Sequence, residues 1–159
     1  MTVKILKVLE CPSEIIEHCK TVSKKALELS SNFDVDLELV KTGSLLHDIG
    51  RSKTNGPSHG IVGAKILEDL GFSRKITKIV ERHIGAGIPK EEAVLIDLPS
   101  NDYIPLTLEE KIVAHADNLI YGTREVDLNF VINKWTLKLG KDHPSLARLK
   151  KLHQELLFS

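Results

Sequence analysis

Residues 43–50, Gly-Ser-Leu-Leu-His-Asp-Ile-Gly, place His47 directly beside Asp48. An imidazole nitrogen and a carboxylate oxygen on adjacent residues can bind the same metal ion. The pair lies at the end of an apolar helical pattern that runs from about Asp36 to Ile49, and Gly50 stands where a left-handed helix cap is expected. The stretch therefore predicts a helix that directs a metal-binding pair into the protein interior.

The composition limits the classes of protein to which the chain can belong. Its 159 residues suit one domain, and 42% hydrophobic with 28% charged residues is typical of a globular protein. Lys and Arg equal Asp and Glu at 22 each, and aromatic residues make up only 4%, so we expect no nucleic-acid partner. No apolar run is long enough to span a membrane, and no signal peptide is recognisable. Cys11 and Cys19 are interpreted as reduced packing residues, which favours a cytoplasmic location.

The hydrophobic pattern is helical along almost the whole chain. It predicts an all-α, single-domain bundle of about six or seven helices, with a core at residues 13–124 and a C-terminal helical extension at residues 127–159. Helix starts are expected near Ser13, Asp36, Ser58, Ser73 and Thr107. The last two helices are expected at Asp127–Leu139 and Ser145–Phe158, and they could supply a homodimer face. Residues 85–106, rich in Gly and Pro, are expected to form an irregular loop with at most one helical turn.

Four further candidate ligands lie on other segments. A lone histidine on an apolar helix face is more often a hydrogen-bonded core residue than a ligand. A buried aspartate, in contrast, needs a cation or a metal nearby, because an unpaired interior carboxylate is costly. Several histidines and aspartates occur together at inward-facing positions or helix–loop junctions. This favours a metal site that includes His18, His59, His83 and Asp117. The remaining histidines, His115, His143 and His153, are interpreted as structural or surface residues.

The number and type of these ligands predict a centre with two ions. Imidazole and carboxylate donors without thiolate suit Fe, Mn, Co, Ni or Zn. Six ligands are too many for one tetrahedral site, but two divalent ions that share Asp48 would use them all. One ion would bind His18, His47 and Asp117, and the other would bind His59 and His83. A hydroxide held between two such ions is a nucleophile at neutral pH.

The order and spacing of these residues resemble the HD superfamily of metal-dependent phosphohydrolases. His18, His47-Asp48 and Asp117 match its H…HD…D pattern, and the flanking residues 45–50 and 112–119 also agree. His59 and His83 look like the variant of the family that carries two metals. The chain is similar to HD-type symmetrical diadenosine tetraphosphate hydrolases, and closer to small archaeal-type HD proteins. The resemblance implies hydrolysis of a nucleotide or another small phosphate ester, with Asp48 as the bridging catalytic residue.

Three cations are candidate phosphate contacts. Arg51 and Lys53 follow the His-Asp pair on a polar loop and are expected to take part in catalysis, and Arg124 follows the Asp117 helix by two turns and is expected to bind the nucleotide. The alternative for each is a solvated surface charge. Two other functions remain open. One is a di-iron oxygenase, because some HD relatives with extra histidines use a di-iron centre for oxygen chemistry. The other is a non-catalytic nucleotide sensor with an intact metal site.

Overall fold

A computed structural model describes residues 2–157, which form nine α-helices, one 3-10 turn and a two-stranded hairpin. The first helices are α1 (Thr2–Val8), α2 (Ser13–Ser30) and α3 (Leu37–Leu46), and the 3-10 turn follows at Ile49–Ser52. The middle of the chain contains α4 (His59–Asp69), α5 (Arg74–Glu81), α6 (Lys90–Leu95) and α7 (Leu108–Asn118). The hairpin strands are β1 (Ile120–Tyr121) and β2 (Arg124–Glu125), and α8 (Leu128–Leu139) and α9 (Pro144–Leu157) complete the fold. The expected all-α single domain is confirmed.

Two apolar clusters form the core, and α2, α3 and α5 contribute to both. One cluster joins Val22 and Val40 to Ile79, Ile112 and Leu149, so it ties α2 and α3 to the C-terminal helices. The other joins α1 and α4 to the same central helices, through buried residues Leu6, Ile16, Cys19, Leu46, Ile49, Leu67 and Val80. The central helices that lead to the candidate ligands are therefore packed into both clusters and form a rigid framework.

Side-chain caps fix four of the helix starts where the sequence predicts them. Each capping oxygen accepts a backbone N–H three residues later, which satisfies one of the free donors of the first helical turn. The capping residues are Asp36, Ser73, Thr107 and Asp127.

The helix that leads to the His-Asp pair ends earlier than expected. It stops at Leu46, and the chain then forms the 3-10 turn instead of a left-handed cap at Gly50. A Cβ on Gly50 would lie 1.8 Å from the carbonyl oxygen of His59 and 2.8 Å from the amide nitrogen of Gly63. Glycine is required here because the backbones of the turn and of α4 touch, and not because of a positive φ.

The number of helices, the structure of residues 85–106 and the end of one helix also differ from the prediction. There are nine α-helices in residues 2–157 rather than six or seven; the short N-terminal helix that the sequence also allows at Thr2–Glu10 forms as α1, and the helical turn expected after Pro89 extends into a separate helix, α6. Residues 85–106 include α6 and a small core of Ile88, Ala93, Leu98 and Tyr103, closed by an antiparallel bridge between Ile88 and Tyr103. The helix expected to reach Tyr121 ends at Asn118 and gives way to the hairpin. The predicted helix end at Phe158 lies outside the described residues.

None of the helices within residues 2–157 combines the length and the apolar character that crossing a bilayer requires.

Candidate metal centre

The structure brings the six predicted ligands together from five segments. His18 projects from α2, and His47 and Asp48 lie between α3 and the 3-10 turn. His59 is the first residue of α4, and His83 follows the end of α5. Asp117 lies in the last turn of α7. Helix ends converge here, so short and rigid connections hold the side chains in place.

The first group of ligands consists of His18, His47 and Asp117, whose ligand atoms lie within 4.8 Å of one another. Asp117 Oδ1 is 2.9 Å from His18 Nε2 and 3.3 Å from His47 Nε2. Asp48 Oδ2 lies at the edge of this group, 3.7 Å from His18 Nε2 and 3.6 Å from His47 Nε2.

The second group consists of Asp48, His59 and His83, which are all buried. Asp48 Oδ1 lies 3.3 Å from Nε2 of His59 and 3.3 Å from Nε2 of His83. The two oxygens of one carboxylate thus face different groups. This is the arrangement that a carboxylate needs in order to bind two neighbouring cations.

Backbone hydrogen bonds fix the orientation of all four histidine rings. Each Nδ1 lies 2.6–2.9 Å from a backbone carbonyl oxygen. Because a carbonyl oxygen only accepts, Nδ1 carries a hydrogen, and each ring presents a lone pair at Nε2 when it is neutral. All four Nε2 atoms therefore point into the cluster as potential ligands. The carbonyls belong to Gly122 for His18, Ser44 for His47, Gly56 for His59 and Val80 for His83.

Two of the cluster's atoms are buried without a hydrogen-bond partner in residues 2–157. They are His47 Nε2 and Asp48 Oδ1, one facing each group of ligands. A buried polar atom without a partner costs free energy, and two such atoms in one cluster point to a bound cation. The residues present therefore fit a divalent metal ion with nitrogen and oxygen ligands.

The electrostatics of the metal-free cluster lead to the same interpretation. Burial opposes protonation of His47, but the charges of Asp48 and Asp117 outweigh it and raise the pKa of His47 well above its usual value. The pKa values of Asp48 and Asp117 are lowered well below the usual range, because the charge of His47 and the nearby histidine nitrogens outweigh their burial. Both carboxyl groups are therefore ionised. In the metal-free cluster His47 therefore holds a proton, and a metal ion that binds there would displace this proton.

Cys19, predicted from the sequence only as a packing residue, lies next to the candidate ligands. Its sulfur lies within 4.8 Å of ligand atoms of His47 and Asp48, and all three residues are buried. Cys19 and Cys11 are both unpaired. The one available signal is the position of Cys19 directly after His18 on α2.

The three predicted phosphate contacts have different positions. Arg51 lines a cavity beside the cluster, and its Nε lies 3.2 Å from Asp48 Oδ2. Lys53 is exposed and is not among the residues that line this cavity. Arg124 is also exposed, and its guanidinium lies 5.4 Å from the ring centroid of Phe130 and 6.0 Å from that of Tyr121.

The other histidines do not belong to the cluster. His115 is fully buried, and its Nε2 lies 2.9 Å from Nδ1 of His153. Asn118 donates to Nδ1 of His115 at 3.4 Å, so His115 holds its hydrogen on Nε2, unlike the four cluster histidines. His143 is bonded to Ser145 at the start of α9. These contacts are structural, as the sequence analysis expected.

The cluster lies beside a cavity of about 810 Å³ that is open to solvent. His18, His59, His83 and Asp117 line it together with Arg51. Residues after His83, from Ile84 to Ile88, form part of its wall, and α8 forms another part. A small molecule that fills the cavity would therefore contact the cluster directly.

Comparison with known proteins gives a family and several relatives. Residues 15–122 match the HD domain family model. An uncharacterized protein of Methanocaldococcus jannaschii is 55% identical over 160 residues, which cover 96% of this chain and 95% of that protein. The tRNA (cytidine(56)-2'-O)-methyltransferase of Picrophilus torridus is 47% identical over 152 residues, covering 96% of this chain and 44% of the enzyme. This chain thus spans less than half the length of that methyltransferase.

Two more distant similarities concern enzymes that cleave phosphodiesters by name. Ribonuclease Y of Thermosipho melanesiensis is 36% identical over 126 residues, covering 76% of this chain and 21% of the enzyme. The HD domain of the L. monocytogenes phosphodiesterase PgpH, solved in complex with cyclic-di-AMP, superposes with a TM-score of 0.62 at 18% identity. This superposition covers 98% of this chain and 92% of that domain, and it supports the fold. None of these relatives is a diadenosine tetraphosphate hydrolase, and that narrower similarity stays a prediction.

Proposed function

The chain belongs to the HD domain family, and on that premise we propose that it is a metal-dependent phosphodiesterase that hydrolyses a nucleotide ester. The observation that carries the proposal is the convergence of four histidine Nε2 atoms and two carboxylates beside an open cavity. Divalent ions bound to these residues supply the acidity that activates a water molecule and neutralises a phosphoryl group.

We propose that the site holds two ions, with Asp48 shared between them. His18, His47 and Asp117 would hold one, and His59 and His83 would hold the other. The separate orientation of the two Asp48 oxygens supports this assignment. Fe, Mn, Co, Ni and Zn all suit the donors, and the adjacent Cys19 sulfur favours the softer members of this series.

The protein's own residues position the ester and balance its charge. Arg51 stands between Asp48 and the cavity, where its guanidinium can donate to a phosphoryl oxygen. The rings of His18 and His83 are oriented by backbone carbonyls before any ion or ester binds. Lys53 and Arg124 lie farther out and would contact only a longer substrate.

The relatives support a nucleotide as the substrate class. The PgpH domain is a phosphodiesterase that binds cyclic-di-AMP, and ribonuclease Y is by name a nuclease. The second candidate function is cleavage of RNA, which is favoured by the similarity to ribonuclease Y and to a tRNA methyltransferase. The balanced charge of 22 basic and 22 acidic residues favours the small nucleotide over RNA.

The proposal is tested by hydrolysis of bis(p-nitrophenyl) phosphate. EDTA-treated protein is reloaded separately with Mn²⁺, Co²⁺, Ni²⁺, Fe²⁺ or Zn²⁺, and release of p-nitrophenol is measured. We expect hydrolysis with at least one metal, and loss of more than 99% of it in Asp48→Asn and Asp117→Asn. Asp69→Asn is the matched control because Asp69 is exposed and forms a surface ion pair with Lys65.

The same experiment separates the rival functions. Absence of hydrolysis with every metal, together with tight nucleotide binding, would contradict the proposal and favour the sensor. Oxygen consumption by the Fe²⁺ form without hydrolysis would favour the oxygenase. Activity with redox-inert Zn²⁺ would exclude oxygen chemistry. Parallel assays with a short RNA and with dinucleotides distinguish the two candidate substrate classes.

A further inference from the structure

The wall of the cavity includes a part of the chain that lies outside the family match. The family model ends at residue 122, whereas α8 covers Leu128–Leu139. Residues Lys134, Trp135 and Lys138 of this helix all line the cavity beside the metal cluster. The chain thus adds its own surface to a site whose ligands belong to the family pattern.

Trp135 lies close to the ligand His83. Its indole ring lies 3.4 Å from the position that a Cβ on Gly85 would take, so the ring stands next to the Gly85 backbone with room for no more than a methyl group between them. Gly85 is two residues after His83, a distance of at most about 7 Å along the chain. It adopts a positive φ of 60°, and its carbonyl accepts from Asn118 Nδ2 at 3.1 Å, which fixes the loop. Trp135 therefore lines the cavity next to the loop that follows the ligand His83.

The same wall carries two lysines that form no ion pair within residues 2–157. Lys134 and Lys138 are exposed, and neither forms an ion pair with any residue in the range 2–157. Lys134 Nζ lies 4.7 Å from the ring centroid of Tyr121, which also lines the cavity. In contrast, Arg148, which also lines the cavity, is neutralised by a bidentate pair with Glu92 at 2.7 and 3.0 Å. Among the described residues that line the cavity, the lysines and arginines without an ion pair therefore both lie on α8.

The size and rim of the cavity indicate a small ligand. Its volume of about 810 Å³ lies in the upper part of the range for small-molecule sites, about 300–1,000 Å³, and exceeds what a single phosphate needs. Three exposed apolar residues lie at its edge, Leu95, Ile96 and Leu139. A long RNA strand needs a row of cations along its exit path, and these apolar residues do not supply one.

We propose that α8 forms a nucleotide-binding subsite for a free dinucleotide. Trp135 stacks on the base adjacent to the cleaved phosphate, and Lys134 with Lys138 binds a second phosphate that is not cleaved. The inference rests on the proposed function, because it names the substrate class of that same site. It predicts a substrate that has at least one base and two phosphates.

Trp135 itself reports on binding because it is the only tryptophan of the chain. The EDTA-treated protein is titrated with the linear dinucleotide pApA while tryptophan fluorescence is recorded, so no hydrolysis interferes. We expect saturable quenching, weakened about tenfold in a Lys134→Ala/Lys138→Ala variant. The matched control is Leu137→Ala, because Leu137 is on the same helix and is 91% exposed. A flat titration, or equal affinity in both variants, would overturn the proposal.

Kinetics of the metal-loaded protein provide the second measurement. Trp135→Ala is expected to raise KM for pApA about tenfold while kcat changes less than threefold, and to lower its preference for pApA over bis(p-nitrophenyl) phosphate. Trp135→Phe should restore most of this preference. Equal losses on both substrates would indicate a purely structural role and contradict the subsite. Tighter, strongly salt-dependent binding of a decaadenylate would overturn the dinucleotide assignment in favour of RNA.

The two proposals fail in different ways. If neither ester is hydrolysed with any metal, the proposed phosphodiesterase function fails, and the fluorescence titration still tests the subsite. If bis(p-nitrophenyl) phosphate is hydrolysed but Trp135→Ala leaves the kinetics of pApA unaltered, only the subsite fails.

Discussion

The Nε2 atoms of His59 and His83 lie 3.1 Å apart, and both rings bind backbone carbonyls through Nδ1. Burial lowers the pKa of His83, so this ring is neutral and presents a lone pair to its neighbour. Two lone pairs at this distance repel each other unless a proton or a cation lies between them. A proton or a bound ion therefore has to lie between the two nitrogens, and a metal ion that binds here would replace the proton.

Removal of metal is expected to destabilise the fold. Because an ion that binds only the folded state stabilises it by mass action, saturation at 100 times Kd adds about 2.7 kcal/mol to the free energy of unfolding. Thermal unfolding is compared after EDTA treatment and after reloading with Mn²⁺. We expect the midpoint to rise on reloading, and His83→Gln to reduce this rise. An unfolding midpoint that ignores metal would argue against a buried ion.

Substitution of Gly50 should damage the fold and the metal site together. A Cβ at this position would lie 1.8 Å from the carbonyl oxygen of His59, so Gly50→Ala must push α4 away. Overpacking of this kind costs about 1–3 kcal/mol or more. We expect a comparable loss in urea unfolding and weaker metal binding. Gly56→Ala is the control, since its nearest neighbour would be Thr54 Oγ1 at 3.7 Å. Equal stability of the two variants would contradict the packing argument.

Arg51 should matter more for catalysis than the other two predicted phosphate contacts. A charge-assisted hydrogen bond to a phosphoryl oxygen contributes about 1.5–3 kcal/mol, so Arg51→Ala should lower kcat/KM about 10–100-fold. Lys53→Ala is expected to cost less, because Lys53 is exposed and does not line the cavity. The control is Lys20→Ala, whose side chain pairs with Glu17 on the surface of α2. A larger loss of kcat/KM for Lys53→Ala than for Arg51→Ala would contradict this prediction.

Acid should destabilise the protein through His115. Burial, followed by the neighbouring His153 and Lys25, lowers the pKa of His115 to about 3, against about 6.5 in the unfolded chain. The unfolded state thus binds a proton below pH 6.5 that the folded state excludes until about pH 3. The contribution of His115 to the free energy of unfolding is fully present above pH 6.5 and falls by about 1.4 kcal/mol per pH unit below it.

The variant His115→Gln isolates this contribution. In EDTA, the difference in unfolding free energy between the native protein and the variant should shrink by about 2 kcal/mol from pH 7 to pH 5. Denaturant unfolding at several pH values measures it. Parallel curves for the two proteins would indicate that His115 titrates normally.

Much of the fold could be predicted because local signals and packing agree. The caps at Asp36, Ser73 and Thr107 lie where side-chain chemistry favours a helix start. The role of Gly50 could not be predicted, because it depends on contact with His59 on another helix rather than on its own φ. The hairpin at Ile120–Glu125 was missed since two-residue strands have no periodic pattern.

The candidate ligands could be proposed from the sequence because six polar residues at inward positions need a common partner. Their convergence follows from how helix ends meet, and the structure places all six together. Cys19 was missed because a buried cysteine is usually a packing residue. The role of Trp135 was also missed, since its position beside Gly85 depends on how α8 folds back over the loop after His83.

Calorimetric titration of EDTA-treated protein with Mn²⁺ tests the central claim most directly. We predict two equivalents bound by the native protein, two by the surface control Asp69→Asn, one by His83→Ala, and a large loss of affinity in Asp48→Asn, whose oxygens face both groups of ligands. No binding to the native protein at micromolar Mn²⁺, Co²⁺ or Zn²⁺ would contradict the claim that these residues form a metal centre.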